Sequence, residues 1–386
     1  MEADRSDAAI IGGGVIGLSV ARELRRAGVE RVCVIEKEAA LGRGSSTRAN
    51  GGIRAQFTTE INITFSLYSI GEIERLRDAF DEELSFHQTG YLLFTGEPER
   101  AEGLERGAEL QRSLGVETEW LSAEEVVARA PFVRGEGLLA GTYHARDGYL
   151  DPHGLVAVLE RLVRRLGVEI RTGSEVASIE RTGRDFELTI GEERQRATWV
   201  VNAAGAHARA VASLLHVDVP VEPVRRNLAY VHDTDAPKTP VPMCVDLDTG
   251  VLVRREGPDG FVIAYSDPND APGWETTVDP RFLPAVASRI GNRFPHLEGK
   301  RIHPRHCWAG LYPETPDGHA IVGEAPSVPG FIQCVGFGGH GLMHSPAAGK
   351  AVAELITNGR CESFDLRPLR PSRFEEGDLV VETAVL

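Results

Sequence analysis

An α/β fold in two parts is what this sequence of 386 residues predicts: a parallel-sheet nucleotide-binding part and a strand-rich part inserted into it. Three observations predict it. The opening stretch spells strand, glycine turn, helix, strand and acid in that order. The length is too great for one small core, so two domains are the natural expectation. The chain changes character over residues 82–144, and strand-like runs dominate 220–307, whereas the remainder alternates strands with helical patterns.

The first unit justifies itself residue by residue. Ala8-Ala9-Ile10-Ile11 is a buried strand, and Gly12-Gly13-Gly14-Val15-Ile16-Gly17 fits G-x-G-x-x-G. Val15, Leu18, Ala21 and Leu24 recur at helical spacing, and Gly28 sits where a helix end wants a left-handed residue. A second apolar run, Val32-Cys33-Val34-Ile35, ends on Glu36 with Lys37 beside it. Gly12 permits the tight turn, Gly14 lets backbone approach a pyrophosphate, and Gly17 lets helix pack on strand. The pyrophosphate then meets the free N–H groups at Val15 and Ile16 and the positive end of the helix. Glu36, nineteen residues after Gly17, is placed to accept from a ribose; its charge repels a 2′-phosphate, which leaves FAD or NAD.

Residues 41–54 form a long loop of glycines, hydroxyls and arginines, suited to wrapping a cofactor, and a helical pattern covers 59–80. In the second part, 90–94 reads as a strand, 98–114 as a charged helix, and Ser122 with Glu125 as a capping box. Asp151-Pro152 starts a helix to about residue 166. Strands follow at 168–171, 175–179 and 186–190, then 199–205 ends in Ala203-Ala204-Gly205, small enough for backbone to lie against something flat. Strands return at 227–231, 250–254 and 260–265, with a helix over 280–294. The strand at 331–335 runs into Gly336-Phe-Gly-Gly-His340-Gly-Leu-Met-His344. The last helix is expected over 345–358, with Ser345 as N-cap, Pro346 in the first turn and Gly359 as terminator. Two glycine loops leading into two helix starts suit a long anionic cofactor.

Composition excludes other classes. A net charge of -15 argues against a general nucleic-acid role. No apolar run reaches membrane-spanning length, and residues 1–7 are polar, without a signal-peptide core. Five widely spaced cysteines, an odd number, give no disulfide framework and fit a reducing cytoplasm. No metal site is expected: His340 and His344 lack an intervening Glu and Gly341 is expected to break the helix, while His303, His306 and Cys307 lack a fourth ligand.

Taken in order, these segments resemble the flavin-dependent amine and amino-acid oxidoreductases of the D-amino-acid oxidase type, nearest the group of sarcosine oxidase β-subunit, dimethylglycine dehydrogenase and L-proline dehydrogenase β-subunit. The resemblance rests on the glycine fingerprint, on residues 44–54 with Gln56-Phe57, on Val201-Asn-Ala-Ala-Gly205, on Tyr312-x-x-Thr-Pro-Asp317, on Gly336 to Gly341, and on Ser372-Arg-Phe374. It implies a Rossmann-like FAD-binding domain with an inserted β-rich substrate domain, as in glutathione-reductase-type two-domain flavoproteins. The FAD domain would take 1–81, 145–219 and 315–386, and the substrate domain 82–144 and 220–314. Glu36 would hold the adenosine ribose and Val176 the adenine. Ser45, Ser46, Thr47, Arg48, Asn50, Gly51, Gly52 and Ile53 would run past the pyrophosphate and the isoalloxazine. Ala204 and Gly205 would line the nucleotide side. Gly338, Gly339, His340, Gly341, Leu342 and Met343 would cover the flavin edge, with the helix from Ser345 stabilising negative charge there.

The resemblance also implies a reaction: loss of a hydride from the carbon bearing nitrogen in an amino or imino acid such as sarcosine or proline. Such a substrate needs a fixed cation, best an arginine fork. Arg54 matches the carboxylate-binding position, Tyr312 an active-site tyrosine, and His340 a histidine at the flavin. Gly310 replaces the cysteine, and Arg48 the histidine, that carry covalent flavin in relatives, so FAD is expected to be noncovalent. Met343 replaces a substrate-holding lysine, which would make the pocket more apolar. The strand around Val262 and Ile263 lacks the lysine that assists oxygen, and Arg254 and Arg255 are expected to straddle a turn. The expectation is a dehydrogenase or slow oxidase that passes electrons to a quinone, an electron-transfer protein or O2, with partner subunits a possibility. Two alternatives remain: a hydroxy-acid dehydrogenase with His340 or His306 as base, or a flavoprotein subunit or assembly factor with little turnover.

Overall fold

The computed structural model describes residues 4–233, 239–267 and 269–384; residues 1–3 of the polar N-terminal stretch lie outside it. The chain opens with β1 (Asp4–Ile11), α1 (Val15–Arg26), β2 (Val32–Ile35), β3 (Gly52–Ile53) and α2 (Glu60–Leu84), which bends at Phe80 where the helical pattern ends. Next come β4 (Tyr91–Thr95), α3 (Pro98–Ser113), β5 (Glu119–Ser122), α4 (Ala123–Arg129) and β6 (Ala140–His144), with the capping box formed at Ser122 and Glu125. The third stretch holds β7 (Gly148–Tyr149), α5 (Pro152–Arg165) capped by Asp151, β8 (Glu169–Arg171), β9 (Val176–Thr182), β10 (Asp185–Ile190), β11 (Glu193–Asn202) and α6 (Ala208–Ser213). The fourth holds β12 (Glu222–His232), β13 (Met243–Asp246), β14 (Val251–Arg255), β15 (Gly260–Tyr265), α7 (Phe282–Arg293) and β16 (Cys307–Glu314). The chain then gives β17 (Ile321–Glu324), β18 (Phe331–Val335), α8 (Gly341–Asn358) and α9 (Arg373–Glu376).

Two large sheets result. The first runs β17-β18-β11-β1-β2-β8, parallel from β18 to β8, with the β9–β10 hairpin added antiparallel to β11. Its central strands are buried on both faces, which is why β1 and β2 read as unbroken apolar runs. α1, α2, α5 and α8 cover one face, and α6 packs with the hairpin on the other. The second sheet runs β16-β12-β15-β14-β13-β4-β6-β5, antiparallel except for β13 beside β4. One face carries Phe261, Ile263 and Val253 against α7; the other carries Tyr91, Met243, Leu252 and Ala264 toward β3 and Tyr149.

Two local expectations are corrected. α8 begins at Gly341, four residues before Ser345, so Gly341 starts the helix and Pro346 lies inside it. Proline frees the carbonyl of Leu342, four residues back, and the Ser345 hydroxyl donates to that same oxygen at 3.0 Å, which is how the helix tolerates it. Arg254 and Arg255 belong to β14 and straddle no turn; Arg254 is buried, with its guanidinium 4.8 Å from the Tyr149 ring.

Candidate active site

A cleft of about 1550 Å3 runs from the fingerprint to the start of α8. At its nucleotide end Gly12 has φ +117°, and a Cβ there would stand 2.3 Å from the Ala203 carbonyl oxygen. A Cβ on Gly17 would stand 1.9 Å from the Gly12 oxygen, so only glycine lets α1 sit this close to β1. Gly12, Gly14, Val15 and Ile16 line the cleft; Gly14, the N-cap residue of α1, has no side chain to cap it, and the Val15 N–H, expected to be free, is taken by Ser46. Glu36 also lines it; its carboxylate accepts from the Gly13 N–H at 2.6 Å and the Glu38 N–H at 2.9 Å, which fixes it with lone pairs left for a hydroxyl. Lys37, Val176, Ala204 and Gly205 complete this end. Lys37 Nζ lies 3.0 Å from His207 Nε2, and the His207 ring stacks on Trp274 at 4.6 Å. His207 and Thr276 line the cleft without having been singled out from the sequence, although His207 follows directly on the small-residue strand end.

The early loop is stitched to β16. Ser45 Oγ donates to Leu311 O, Arg48 Nη1 to Ala309 O at 2.8 Å, and Trp308 Nε1 to Arg48 O at 3.1 Å. Ser46 Oγ accepts from the Val15 N–H at 3.1 Å. Ser45, Ser46, Thr47 and Arg48 face the cleft. Asn50, Gly51, Gly52 and Ile53 lie behind it: Arg254 donates to Asn50, and β3 pairs with β7. Gly310 stands against Arg48, a Cβ there falling 3.0 Å from the Arg48 Cβ, so the two residues are neighbours at the cleft wall. At the far end Gly338, Gly339, Gly341 and Leu342 line the cleft, while Met343 is buried in the helical core instead of facing the pocket. The N-terminus of α8 has no side-chain cap. Backbone donors at two helix starts, a fixed carboxylate and glycines too tight for any Cβ fit an extended dinucleotide such as FAD.

A second cluster, around Arg54, is assembled from distant segments; Tyr312 lines the cleft, whereas Arg54 and His340 lie behind its wall. Arg54 is 4% exposed; Nη1 donates to Gln56 O at 2.6 Å, Nη2 donates to Ala384 O, and the guanidinium lies 4.0 Å from the Phe57 ring. Burial pulls its pKa below the usual range, against the pull of Tyr91, Glu382, Asp147 and Tyr312 nearby. The Tyr312 ring packs against Gly339, and burial raises its phenol, so it stays a neutral hydroxyl. His340 is the residue just before α8 and makes no capping bond with its side chain, its ring lying edge-on to Phe57 at 5.8 Å; burial first, and Arg54 second, lower it to about 3, which keeps it neutral. Its Nε2 has no hydrogen-bond partner among the described residues.

Two carboxylates here escaped the sequence reading. Asp147 is fully buried, accepts from the Ala55 N–H at 2.8 Å and Gln56 Nε2 at 3.1 Å, and is raised to about 6 by burial. Glu382 accepts from Thr58, Thr59 and Asn62 at the start of α2. Neither carries a motif or a period, so nothing local marked them.

Among the described residues no helix is long and apolar enough to cross a membrane, and no group of three His, Cys, Asp or Glu residues could hold a metal. Comparison with known proteins agrees with the geometry. The family described as DAO, FAD dependent oxidoreductase, matches residues 7–355. FAD-dependent oxidoreductase domain-containing protein 1 of Bos taurus is 31% identical over 99% of this chain and 87% of its own length. Mitochondrial dimethylglycine dehydrogenase of Rattus norvegicus is 27% identical over 96% of this chain, which spans only 45% of that protein. The crystal structure of L-proline dehydrogenase from P. horikoshii superposes with a TM-score of 0.91 at 27% identity, covering 98% of this chain and 100% of that one. The chain belongs to the DAO family of FAD-dependent oxidoreductases.

Proposed function

We propose that this enzyme oxidises the C–N bond of a small amino or imino acid, a secondary amine such as sarcosine or proline being the expected type, to an imine that water then hydrolyses. One observation carries the reading: Arg54, a buried arginine, lies against the Phe57 ring and close to Tyr91 and Tyr312, of which Tyr312 lines the cleft. A guanidinium in so dry a place suits a carboxylate, since a buried charge needs an opposite one. Arg54 would hold the substrate carboxylate, the neutral Tyr312 hydroxyl would orient it, and the aromatic wall would exclude water. Bound FAD supplies the two-electron acceptor. The Gly341 and Leu342 backbone, at the positive end of α8, would stabilise negative charge at the flavin edge. Gly310 and Arg48 offer no attachment atom of the kind relatives use, which supports noncovalent FAD. Residues 1–81, 145–219 and 315–386 would act as the FAD domain, and 82–144 with 220–314 as the substrate domain.

The hydroxy-acid alternative needs a base for the hydroxyl. His340, lowered to about 3, is a weak one, and His306 is exposed and does not line the cleft. An amine with a free lone pair needs none, which favours the C–N reading. The test is anaerobic mixing with panels of amino acids, N-methyl amino acids and hydroxy acids while the flavin absorbance is followed. Bleaching by the amino-acid panels is expected. Bleaching by hydroxy acids alone would overturn the reading, and no bleaching by any panel would favour a subunit or assembly role.

A further inference from the structure

The end of the described chain returns to Arg54. α9 is rooted by Arg373, whose fork meets Asp317 at 2.8 and 3.0 Å with both side chains fully buried. Leu379, Val380 and Val381 follow, 42%, 43% and 60% exposed. The chain then dives inward. The Glu382 N–H donates to Asp317 O at 3.1 Å, and its carboxylate accepts from the Thr58 N–H, the Thr58 and Thr59 hydroxyls, Asn62 Nδ2 and the Ala384 N–H. The Ala384 carbonyl takes Arg54 Nη2. Arg54 therefore has both fork ends on backbone oxygens, where a substrate carboxylate would need at least one.

Charge makes the contact more than a packing detail. A buried guanidinium left without an opposite charge is costly. Glu382, only 4% exposed, stands close enough to Arg54 to compensate it. A substrate carboxylate on the fork would do the same, so an anion can replace the charge that Glu382 supplies, whereas a neutral ligand leaves Asp147 alone to compensate Arg54. The exchange also has favourable and opposing parts of similar kind. A carboxylate bonds Arg54 more strongly than the Ala384 carbonyl does, but releasing Glu382 gives up its own donors. The exposed stretch at 379–381 supplies a tether that can move while α9 stays put.

We propose that residues 382–384 are a tethered stand-in for the substrate carboxylate: they close the site around Arg54 when it is empty and leave when a carboxylate arrives. This rests on Arg54 being the carboxylate-binding residue. In the FAD-loaded full-length protein, amide hydrogen exchange at 382–384 is followed with acetate and cyclopentanecarboxylate, and with acetamide and cyclopentanecarboxamide. Carboxylates are expected to speed exchange there ~10-fold or more and the amides to leave it unchanged. If the closed form holds about 90–99% of molecules, Glu382→Ala, or the milder Glu382→Gln, should tighten carboxylate binding, read from the flavin spectrum, by ~10- to 100-fold. Carboxylates that bind in an Arg54-dependent way with unchanged exchange and unchanged affinity in Glu382→Ala would overturn the stand-in and leave Arg54 in its role. Affinity unaltered by Arg54→Ala would remove the role itself and the stand-in with it. Absence of carboxylate binding to wild type and Glu382→Ala alike would also overturn the proposal.

Discussion

At the nucleotide end of the cleft, Glu36 reaches Gly13 across 23 positions, and the other contacts that shape the turn fall within the same short unit or one sheet neighbour away. In the cluster around Arg54, that residue meets Ala384 across 330 positions, Thr58 meets Glu382 across 324, and Ala55 meets Asp147 across 92. The first end is backbone geometry: glycines at contact distance and amides at a helix start. The second is a set of buried side chains whose charges compensate one another. A backbone site is fixed once its unit folds. A side-chain site depends on every distant segment docking, and can change when one segment moves.

Breaking the backbone end should have the largest effect. Gly17→Ala places a Cβ 1.9 Å from the Gly12 oxygen, and neither backbone can yield while β1 keeps its place in the sheet. Forced separation of this kind costs ~1–3 kcal/mol or more. Purified protein should lose nearly all bound FAD, measured as the ratio of visible to ultraviolet absorbance; retention of full FAD content would show that the turn is more pliant than its contacts imply.

Breaking the side-chain end should spare FAD and remove substrate affinity. Arg54→Ala is expected to raise KM about a hundredfold, on the order of 3 kcal/mol for a charge-assisted contact in a dry pocket, with FAD content nearly constant. If substrate binds normally, Arg226, 5.6 Å from the Tyr312 ring, becomes the better candidate.

Asp147 sharpens the comparison by pH. Its pKa is raised by burial from the ordinary 3.8 to about 6, so the folded protein binds the proton more tightly than the unfolded chain. The sign follows: the burden of ionising it is absent below about pH 4, grows as pH rises through about 6, and reaches on the order of 3 kcal/mol. The carbonyl of the amide in Asp147→Asn can still accept from Ala55. The variant's melting temperature minus that of wild type should therefore climb by a few degrees between pH 4 and 7. A flat difference would mean that the carboxylate is compensated at all pH values.

The smallest effect concerns the air reaction. Register places Val262 opposite Arg254 on the face with Leu252 and Ala264, whereas Ile263 packs toward α7. Val262→Lys should speed reoxidation of the reduced enzyme in air several-fold, through a cation in a low-dielectric site. Ile263→Lys should instead lower thermal stability without that gain. Stopped-flow reoxidation and melting curves separate the two.

By itself the sequence determined what repeats or sits close in the chain. Spacing placed α1, β2 and the end of β1 where the structure has them, since helix and strand periods are local rules, while β1 begins four residues earlier than its apolar run, at Asp4, where pairing with β11 extends it. Gly28, Asp151, the Ser122 capping box and Gly359 act where local chemistry put them. The same rules failed at Ser345-Pro346, a good helix start by local preference, because burial of the preceding turn, with His344 held by Ser66 of α2, carries the helix back to Gly341. Only the tertiary structure decided which face of β15 turns toward Tyr91 and Tyr149 and which toward α7, for alternation tells two faces apart without saying what covers each. It alone moved Met343 into the core, kept His340 neutral, and brought Asp147 and Glu382 to Arg54. Those choices rest on burial and on charges meeting across hundreds of residues, and neither leaves a period or a motif in the chain.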